Sequence, residues 1–200
     1  MIATTHIEDN LLRRSWDDGL LDLFSGIGLL LIGIAWEFDL VPLGAIGPAI
    51  LVPFWKPVRD RFIVPRAGYA EPGPRTRHRM TRGMVMLIGA GVVSFVLGIA
   101  LFVLARGEAG VPASLSAAHV VPALPAALIA VGAILAARAF AVPRFYAYAM
   151  VLVAAGGATI ALELGPAAPM LAGGVFATAG GVVFLARFLR ENPVVEEGGA

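Results

Sequence analysis

The chain has 200 residues, of which 58% are hydrophobic and only 14% charged, and its mean hydropathy is +0.84. Soluble domains carry about 25% charged residues, so this composition excludes an ordinary water-soluble domain and indicates an integral membrane protein. The net charge of +1 argues against a nucleic-acid-binding protein. The absence of cysteine excludes a disulfide scaffold, cysteine-ligated metal centres and a cysteine nucleophile.

A short amphipathic segment begins the chain. Thr5 and Glu8 have the spacing of a capping box, and apolar residues then recur at helical spacing: Ile7, Leu11, Leu12 and Trp16. This pattern predicts a helix over residues 5–17, within an interfacial segment of residues 1–18, that lies on the membrane surface. The early acidic residues do not fit a cleavable secretory signal.

Six apolar segments follow, separated by charged residues and prolines. A helix needs about 20 mostly apolar residues to cross a bilayer, and the segments are close to that length. The sequence therefore predicts an all-α protein with six transmembrane helices over residues 19–189, a basic loop over 56–83 and a tail over 190–200. The predicted spans are 19–36, 40–55, 84–104, 120–137, 145–164 and 170–189.

The second span leaves two interpretations open. Its 16 residues would rise about 24 Å as a helix, less than the ~30 Å hydrocarbon core. Pro48 also removes a hydrogen bond in the middle of the segment. Both a kinked crossing helix and a re-entrant segment fit these features, and the charge distribution favours the crossing helix.

Basic residues are distributed unevenly between the predicted loops. All of the 15 lysines and arginines except Arg106 lie on one side of the six spans. Acidic residues accompany Arg106 on the other side: Glu37, Asp39, Glu108 and Glu163. By the positive-inside rule, this asymmetry places both termini in the cytoplasm.

Glycine spacing predicts close contact between helices. Two sets repeat every seven residues, Gly19, Gly26 and Gly33 in the first span and Gly91 and Gly98 in the third, and each set shares one helix face. A run of small residues at 154–158 is expected to face a small-xxx-small series in the last span, consisting of Gly173, Ala177 and Gly181.

A five-residue pattern occurs twice on the predicted cytoplasmic side. Residues 62–66 and 140–144 share the sequence F-x-V-P-R at an offset of 78. A repeated helix hairpin would leave this pattern where the chain leaves the membrane, because proline ends a helix and arginine favours the headgroup region.

An acidic cluster at the start of the first span is the main polar candidate: Asp17, Asp18 and Asp22. Asp18 and Asp22 share a helix face, and Asp22 lies inside the apolar run, where an ionised carboxylate is costly unless it is paired or hydrated. A structural interpretation, with the carboxylates capping the helix, and a functional one both stay open. We expect Arg66 or Arg61 to pair with Asp22 or Asp18, with Tyr69 placed at the headgroup level.

The sequence contains none of the common motifs of catalysis or cofactor binding, such as a phosphate-binding loop or H-E-x-x-H. Its histidines lie in three separate segments, at His6, His78 and His119. No catalytic residue, cofactor or metal ligand is therefore predicted. Four arginines before the third span are expected to contact anionic lipids at the cytoplasmic face: Arg75, Arg77, Arg79 and Arg82.

Two motifs stand out in the first half of the chain: residues 16–26 contain D-G-L-x-D-L-x-x-G, and residues 61–69 contain P-R-x-G-Y. With these motifs the chain resembles a family of small bacterial multi-pass membrane proteins of uncharacterised activity. The resemblance implies a bacterial inner-membrane location. It also implies a role for the neighbourhoods of Asp18 and Asp22 and of Arg66 and Tyr69.

Three classes of function fit the sequence. The preferred class is a non-enzymatic subunit, scaffold or regulator that acts through helix packing, with the lipid bilayer, other membrane subunits or a second copy as its partners. The second is a small transporter or channel that uses the proline-broken second span. The third is an enzyme acting on lipid headgroups at the cytoplasmic interface, with the acidic cluster holding a divalent cation.

The distribution of basic residues generates a topology prediction. Reporter proteins fused after Ala200 are expected to read as cytoplasmic, and fusions near Asp39, Glu108 and Gly165 as exported, because the lysines and arginines flank the cytoplasmic ends. Paired reporters that are active on opposite sides of the membrane measure this. A cytoplasmic signal from the fusion near Glu108 would contradict the six-span arrangement.

Overall fold

The computed structural model describes residues 18–67, 121–140 and 142–193, together with a few positions between 78 and 93. Within these ranges 88% of the residues are helical and none lies in a strand, which confirms the all-α class. The predicted surface helix over 5–17, the glycines Gly91 and Gly98, and most of the third span lie outside the described residues.

Six helices and one 3₁₀ turn make up the described structure. The helices are α1 (Leu20–Glu37), α2 (Val41–Phe62), α3 (Val64–Ala67), α4 (Leu124–Phe140), α5 (Arg144–Ala161) and α6 (Ala167–Glu191), and the 3₁₀ turn Val121–Ala123 precedes α4. Four of them correspond, within four residues at each end, to the predicted first, fourth, fifth and sixth spans.

Three of the described helices are long and apolar enough to cross a membrane: α1, α5 and α6. Helix α4 is apolar but has only 17 residues, and α2 contains three internal prolines and charged residues in its last turns. These helices indicate a membrane protein. That six helices cross the membrane stays a prediction.

Helix α2 is longer than the sequence predicted. It continues through Pro48, Pro53 and Pro57 to Phe62, so the first seven residues of the predicted basic loop over 56–83 are helical. Lysine and arginine are good helix formers, and their charge does not end a helix. The 22 residues of α2 span about 33 Å.

Helix α2 packs antiparallel against α1 along most of the length of α1. Near the turn between the two helices, Gly47 lies against Leu31. At the other end, the Trp55 and Phe24 rings meet edge to face at a centroid distance of 5.3 Å. The two helices form a hairpin, and α2 is helical without interruption from Val41 to Phe62; its crossing of the membrane stays a prediction.

The three glycines that repeat every seven residues at the start of α1 and within it lie against α6. The sequence predicted that these glycines form a packing face. The three residues are Gly19, Gly26 and Gly33. A Cβ added at Gly26 would overlap the backbone of Thr178, and one added at Gly33 would lie 2.8 Å from the Leu171 side chain. The helix backbones are therefore in direct contact, and only glycine fits at these positions.

Helix α6 contributes glycines to the same interface. A Cβ added at Gly174 would lie 2.8 Å from the backbone nitrogen of Leu30, and one at Gly181 would overlap the backbone of Leu23. Gly174 and Gly181 are also seven residues apart. The antiparallel pair α1 and α6 is thus interlocked by glycines from both helices, and it forms the centre of the bundle.

The two glycines of residues 154–158 do not make the expected contact with the small residues of α6. Gly156 packs against Ala123 and Ala126 at the start of α4, and Gly157 faces open space. Gly181 is occupied by α1 instead. Small residues are present on several faces of these helices, so their spacing alone does not identify the neighbouring helix.

The remaining core consists of small and aliphatic side chains from α1, α4, α5 and α6. Leu152 and Met170 are fully buried between the helices, next to Ala126 and Ala130 of α4. Large apolar side chains on the outside, such as Met150, are exposed, which is the pattern expected of a surface that faces lipid tails.

Two helices end with an acidic residue in the left-handed conformation. Asp39 follows α1 with a φ of 57°, and Glu163 follows α5 with a φ of 53°. Beyond Asp39, the Leu40 N–H donates to the Ala35 carbonyl at 2.7 Å, which completes a Schellman motif. These turns reverse the chain tightly between α1 and α2 and between α5 and α6.

The glycine interface generates a stability prediction. Gly26→Ala is expected to destabilise the protein by roughly 1–3 kcal/mol, because the added methyl group overpacks a contact between backbones. Gly157→Ala is the matched control, since a Cβ there meets nothing within 4 Å and alanine favours a helix by up to about 1 kcal/mol. Thermal unfolding in detergent measures both. Equal stability of the two variants would contradict the interlocked packing.

Candidate functional site: a buried ion pair between α1, α5 and α6

The candidate site is centred on Asp22 in the first turn of α1, whose side chain is completely buried. Arg144, the first residue of α5, donates a hydrogen bond from Nε to the Asp22 Oδ1 at 2.8 Å. Its Nη2 lies 2.6 Å from Oδ2, in an ion-pair contact that is not aligned as a hydrogen bond. The guanidinium group therefore faces both carboxylate oxygens.

Two aromatic residues complete the surroundings of the ion pair. The Tyr148 hydroxyl, one turn further along α5, donates to the Asp22 Oδ1 at 2.8 Å. The Phe184 ring of α6 lies under the guanidinium of Arg144, 4.8 Å from centroid to Cζ, at a distance suited to a cation–π contact. Helix α5 thus supplies the charge partner and the hydrogen bond of Asp22, and α6 supplies the ring beside Arg144.

The start of α5 explains why Arg144 reaches this position. Val142 is buried and Pro143 caps the helix with a φ of −65°, a value that proline fixes and that suits a helix start. Arg144 therefore leaves the first turn of α5 with a defined direction. Only 12% of its side chain is exposed.

Asp18 is the second buried carboxylate, and it lies just before α1. Its Oδ1 accepts a hydrogen bond from the Leu20 N–H at 2.8 Å, so it satisfies one of the free donors at the helix start. Gly19 between them has a φ of 75°. Burial raises the pKa of the Asp18 carboxyl, although the Leu20 hydrogen bond and the charges of Arg59 and Arg144 lower it.

The prediction that Arg66 or Arg61 pairs with Asp22 or Asp18 was wrong. Arg61 is exposed on α2, and Arg66 of α3 donates from Nη1 to the Phe62 carbonyl at 2.8 Å. Arg144 occupies the place that the sequence assigned to one of these two. The expectation that Asp22 needs a partner and that an acidic residue caps α1 agrees with the observed contacts.

Other predicted residues lie where the structure gives little or no information. Arg82 is helical and exposed. Five of the predicted site residues are outside the described ranges: Asp17, Tyr69, Arg75, Arg77 and Arg79. The predicted contacts with anionic lipids therefore stay predictions.

Sequence reasoning missed Arg144 and Tyr148, although one signal pointed to the first. Arg66 and Arg144 are the final residues of the two F-x-V-P-R copies, and both follow a helix that ends at phenylalanine, α2 at Phe62 and α4 at Phe140. The pattern marked two equivalent arginines. Only the packing of α5 beside α1 determines which of them reaches Asp22.

The charged and polar groups of this site contact one another in the protein interior. A carboxylate that faces a guanidinium and accepts a hydrogen bond from a tyrosine hydroxyl in a dry interface is fixed in position. A divalent cation would have to displace Arg144 to reach Asp22. Within the described part of the chain, no group of three or more acidic, histidine or cysteine side chains is arranged to hold a metal ion.

Comparison of the chain with protein-family models, curated proteins and solved structures gives no match.

The ion pair generates a prediction in which a second substitution restores the stability that the first removes. Arg144→Met is expected to destabilise the protein by roughly 3–5 kcal/mol, because it leaves the buried Asp22 carboxylate uncompensated. Adding Asp22→Asn removes that charge, keeps an oxygen acceptor for Tyr148 and is expected to restore most of the stability. Thermal unfolding of the single and double variants in detergent measures the coupling.

Arg61→Met is the matched control, since Arg61 is exposed, and its effect is expected to stay within about 0.5 kcal/mol. If Arg144→Met and Asp22→Asn instead lower the stability independently, the two side chains do not act as a pair.

Proposed function

We propose that this protein is a multi-pass membrane protein that acts by contact with other membrane proteins, as a subunit, scaffold or regulator. The observation that carries the proposal is the closure of the Asp22 site. Its buried carboxylate is matched by Arg144 and Tyr148 from the same chain. The ion pair therefore serves the fold, and the outward surfaces of the described helices are left for contact with lipid and protein.

The exposed faces of α4 and α5 support this proposal. Gly132 and Gly157 each have open space where a Cβ would lie, and exposed Val131 and Val153 lie beside them. Small residues on a lipid-facing surface allow a helix of another chain to approach closely. The bundle itself does not use these two glycines for packing.

We also propose a cellular location for the protein. We place the protein in the inner membrane of a bacterial cell with both termini cytoplasmic, on the distribution of basic residues and on the resemblance of residues 16–69 to small bacterial membrane proteins. The arginines of residues 75–82 would then face anionic lipids.

The two alternative functions receive less support from the described helices. A transporter that uses a broken second span needs an interrupted helix near the midplane, whereas α2 is continuous through its three prolines. A headgroup enzyme that binds a divalent cation through Asp22 needs an accessible carboxylate, whereas Asp22 is fully buried against Arg144.

Purification from native membranes tests the proposal. The chain carries an affinity tag after Ala200 and is extracted in membrane discs formed by a copolymer, and quantitative mass spectrometry measures the proteins that accompany it. A membrane protein present at near one-to-one ratio is the expected result. Gly157→Leu and Gly132→Leu serve as matched variants, because each fills open space on a different helix without altering the bundle.

The outcomes separate the classes of function. Loss of the accompanying protein with one leucine variant and not the other assigns the contact to α5 or to α4. A chain that is recovered alone and that conducts ions in liposomes, with the flux abolished by Asp22→Asn, would replace the proposal with the transporter. Divalent-dependent lipid turnover by the purified chain would replace it with the enzyme.

A further inference from the structure

Asp18 is a buried carboxylate that the closed site does not neutralise by contact. Asp18 and Asp22 are four residues apart and are 1% and 0% exposed, and the Arg144 guanidinium is hydrogen bonded and ion-paired to Asp22. Within the described part of the chain, the Asp18 carboxylate accepts a hydrogen bond from the Leu20 N–H. One hydrogen bond does not balance the cost of burying an ionised carboxylate, so the docked position of Asp18 favours its neutral form.

Charged groups reach Asp18 from three elements. Arg59 of α2 and Arg144 of α5 stabilise its ionised form through their charges, and Asp22 of α1 opposes it. The fourth neighbour, α6, presents Phe184 and Leu185 next to Gly19. Helix α6 also carries Arg187, which is exposed and hydrogen bonded to Glu191 at 2.7 Å.

The contact of Gly19 with α6 restricts movement of the backbone next to Asp18. A Cβ on Gly19 would lie 2.7 Å from the Gly181 oxygen and 2.7 Å from the Leu185 nitrogen, so the backbone beside Asp18 is held against α6. An ionised Asp18 would gain water if this end of α1 moved away from α6, and it would gain a guanidinium if Arg59 turned towards it or Arg144 left Asp22.

We propose that Asp18 is a proton-operated switch at the start of α1: neutral Asp18 keeps α1 docked on α6, and its ionisation competes with Asp22 for Arg144 and loosens this end of the bundle. The ligand of the site is a proton, bound by the Asp18 carboxylate as the surroundings become more acidic. The inference goes beyond the proposed function and is independent of it, since it concerns the docking of α1 whether or not a partner protein binds.

The sign of the pH dependence follows from linkage. The folded state binds the Asp18 proton more tightly than the unfolded chain, where the carboxyl has its ordinary value of 3.8. The stabilisation is therefore complete below pH 3.8 and is lost as the pH rises towards the raised pKa of the folded state. Within that window, one proton changes the folding equilibrium by at most about tenfold per pH unit.

Unfolding of the full chain between about pH 4 and pH 8 tests the switch, because this range follows the ionisation of a carboxyl with a raised pKa. The unfolding midpoint of the wild type is expected to fall as the pH rises, and that of Asp18→Asn to fall less and to be higher at the upper end. Asparagine keeps an oxygen acceptor for the Leu20 N–H. Asp60→Asn is the matched control, since Asp60 is exposed on α2, and it is expected to follow the wild type.

A second measurement uses the unmodified protein and does not depend on the variant folding. Infrared spectra report protonated carboxyl groups directly, and hydrogen exchange reports the opening of the first turn of α1. A carboxyl signal that is lost as the pH rises, together with faster exchange at Leu20 and Leu23, supports the switch. Parallel pH profiles for the wild type and Asp18→Asn, or exchange at α1 that does not change with pH, would overturn it.

Discussion

The direct contact between the backbones of α1 and α6 is the constraint on which the rest of the bundle depends. Lipid tails are as apolar as leucine, so apolar burial does not drive helices together in a bilayer, and association relies on close packing and polar contacts. Gly26 and Gly181 allow that packing. The same contact excludes water from the first turn of α1, because the Asp22 backbone lies 3.0 Å from where a Cβ of Gly181 would be.

A dry first turn explains the ion pair. Once α6 covers α1, the Asp22 carboxylate needs a cation and a hydrogen-bond donor within the protein, and α5 supplies both from Arg144 and Tyr148. Removing two charges from water has a cost that their attraction offsets only in good geometry. The pair therefore acts mainly on specificity: it fixes the register of α5 against α1, since a shift of one turn would leave both charges unmatched.

The sequence was sufficient for features that depend on one helix and insufficient for those that depend on which helices meet. The glycine face of α1 was visible because a seven-residue period is a property of a single helix. The identity of the cation was not, because Arg66 and Arg144 end identical F-x-V-P-R patterns and Asp22 is 122 residues from Arg144. Likewise the sequence predicted that the second span ends at residue 55, before the charged residues, whereas α2 extends to Phe62.

That separation along the chain has a consequence for biosynthesis. A ribosome adds about 5–20 residues per second, so the 122 residues between Asp22 and Arg144 correspond to roughly 6–24 seconds. The last glycine of the interface, Gly181, is made later still. Throughout that interval the glycine face of α1 lacks α6, the helix that packs against it in the folded bundle. Of the described helices, α1 is thus synthesised first, and its packing is completed only after α6 has been made.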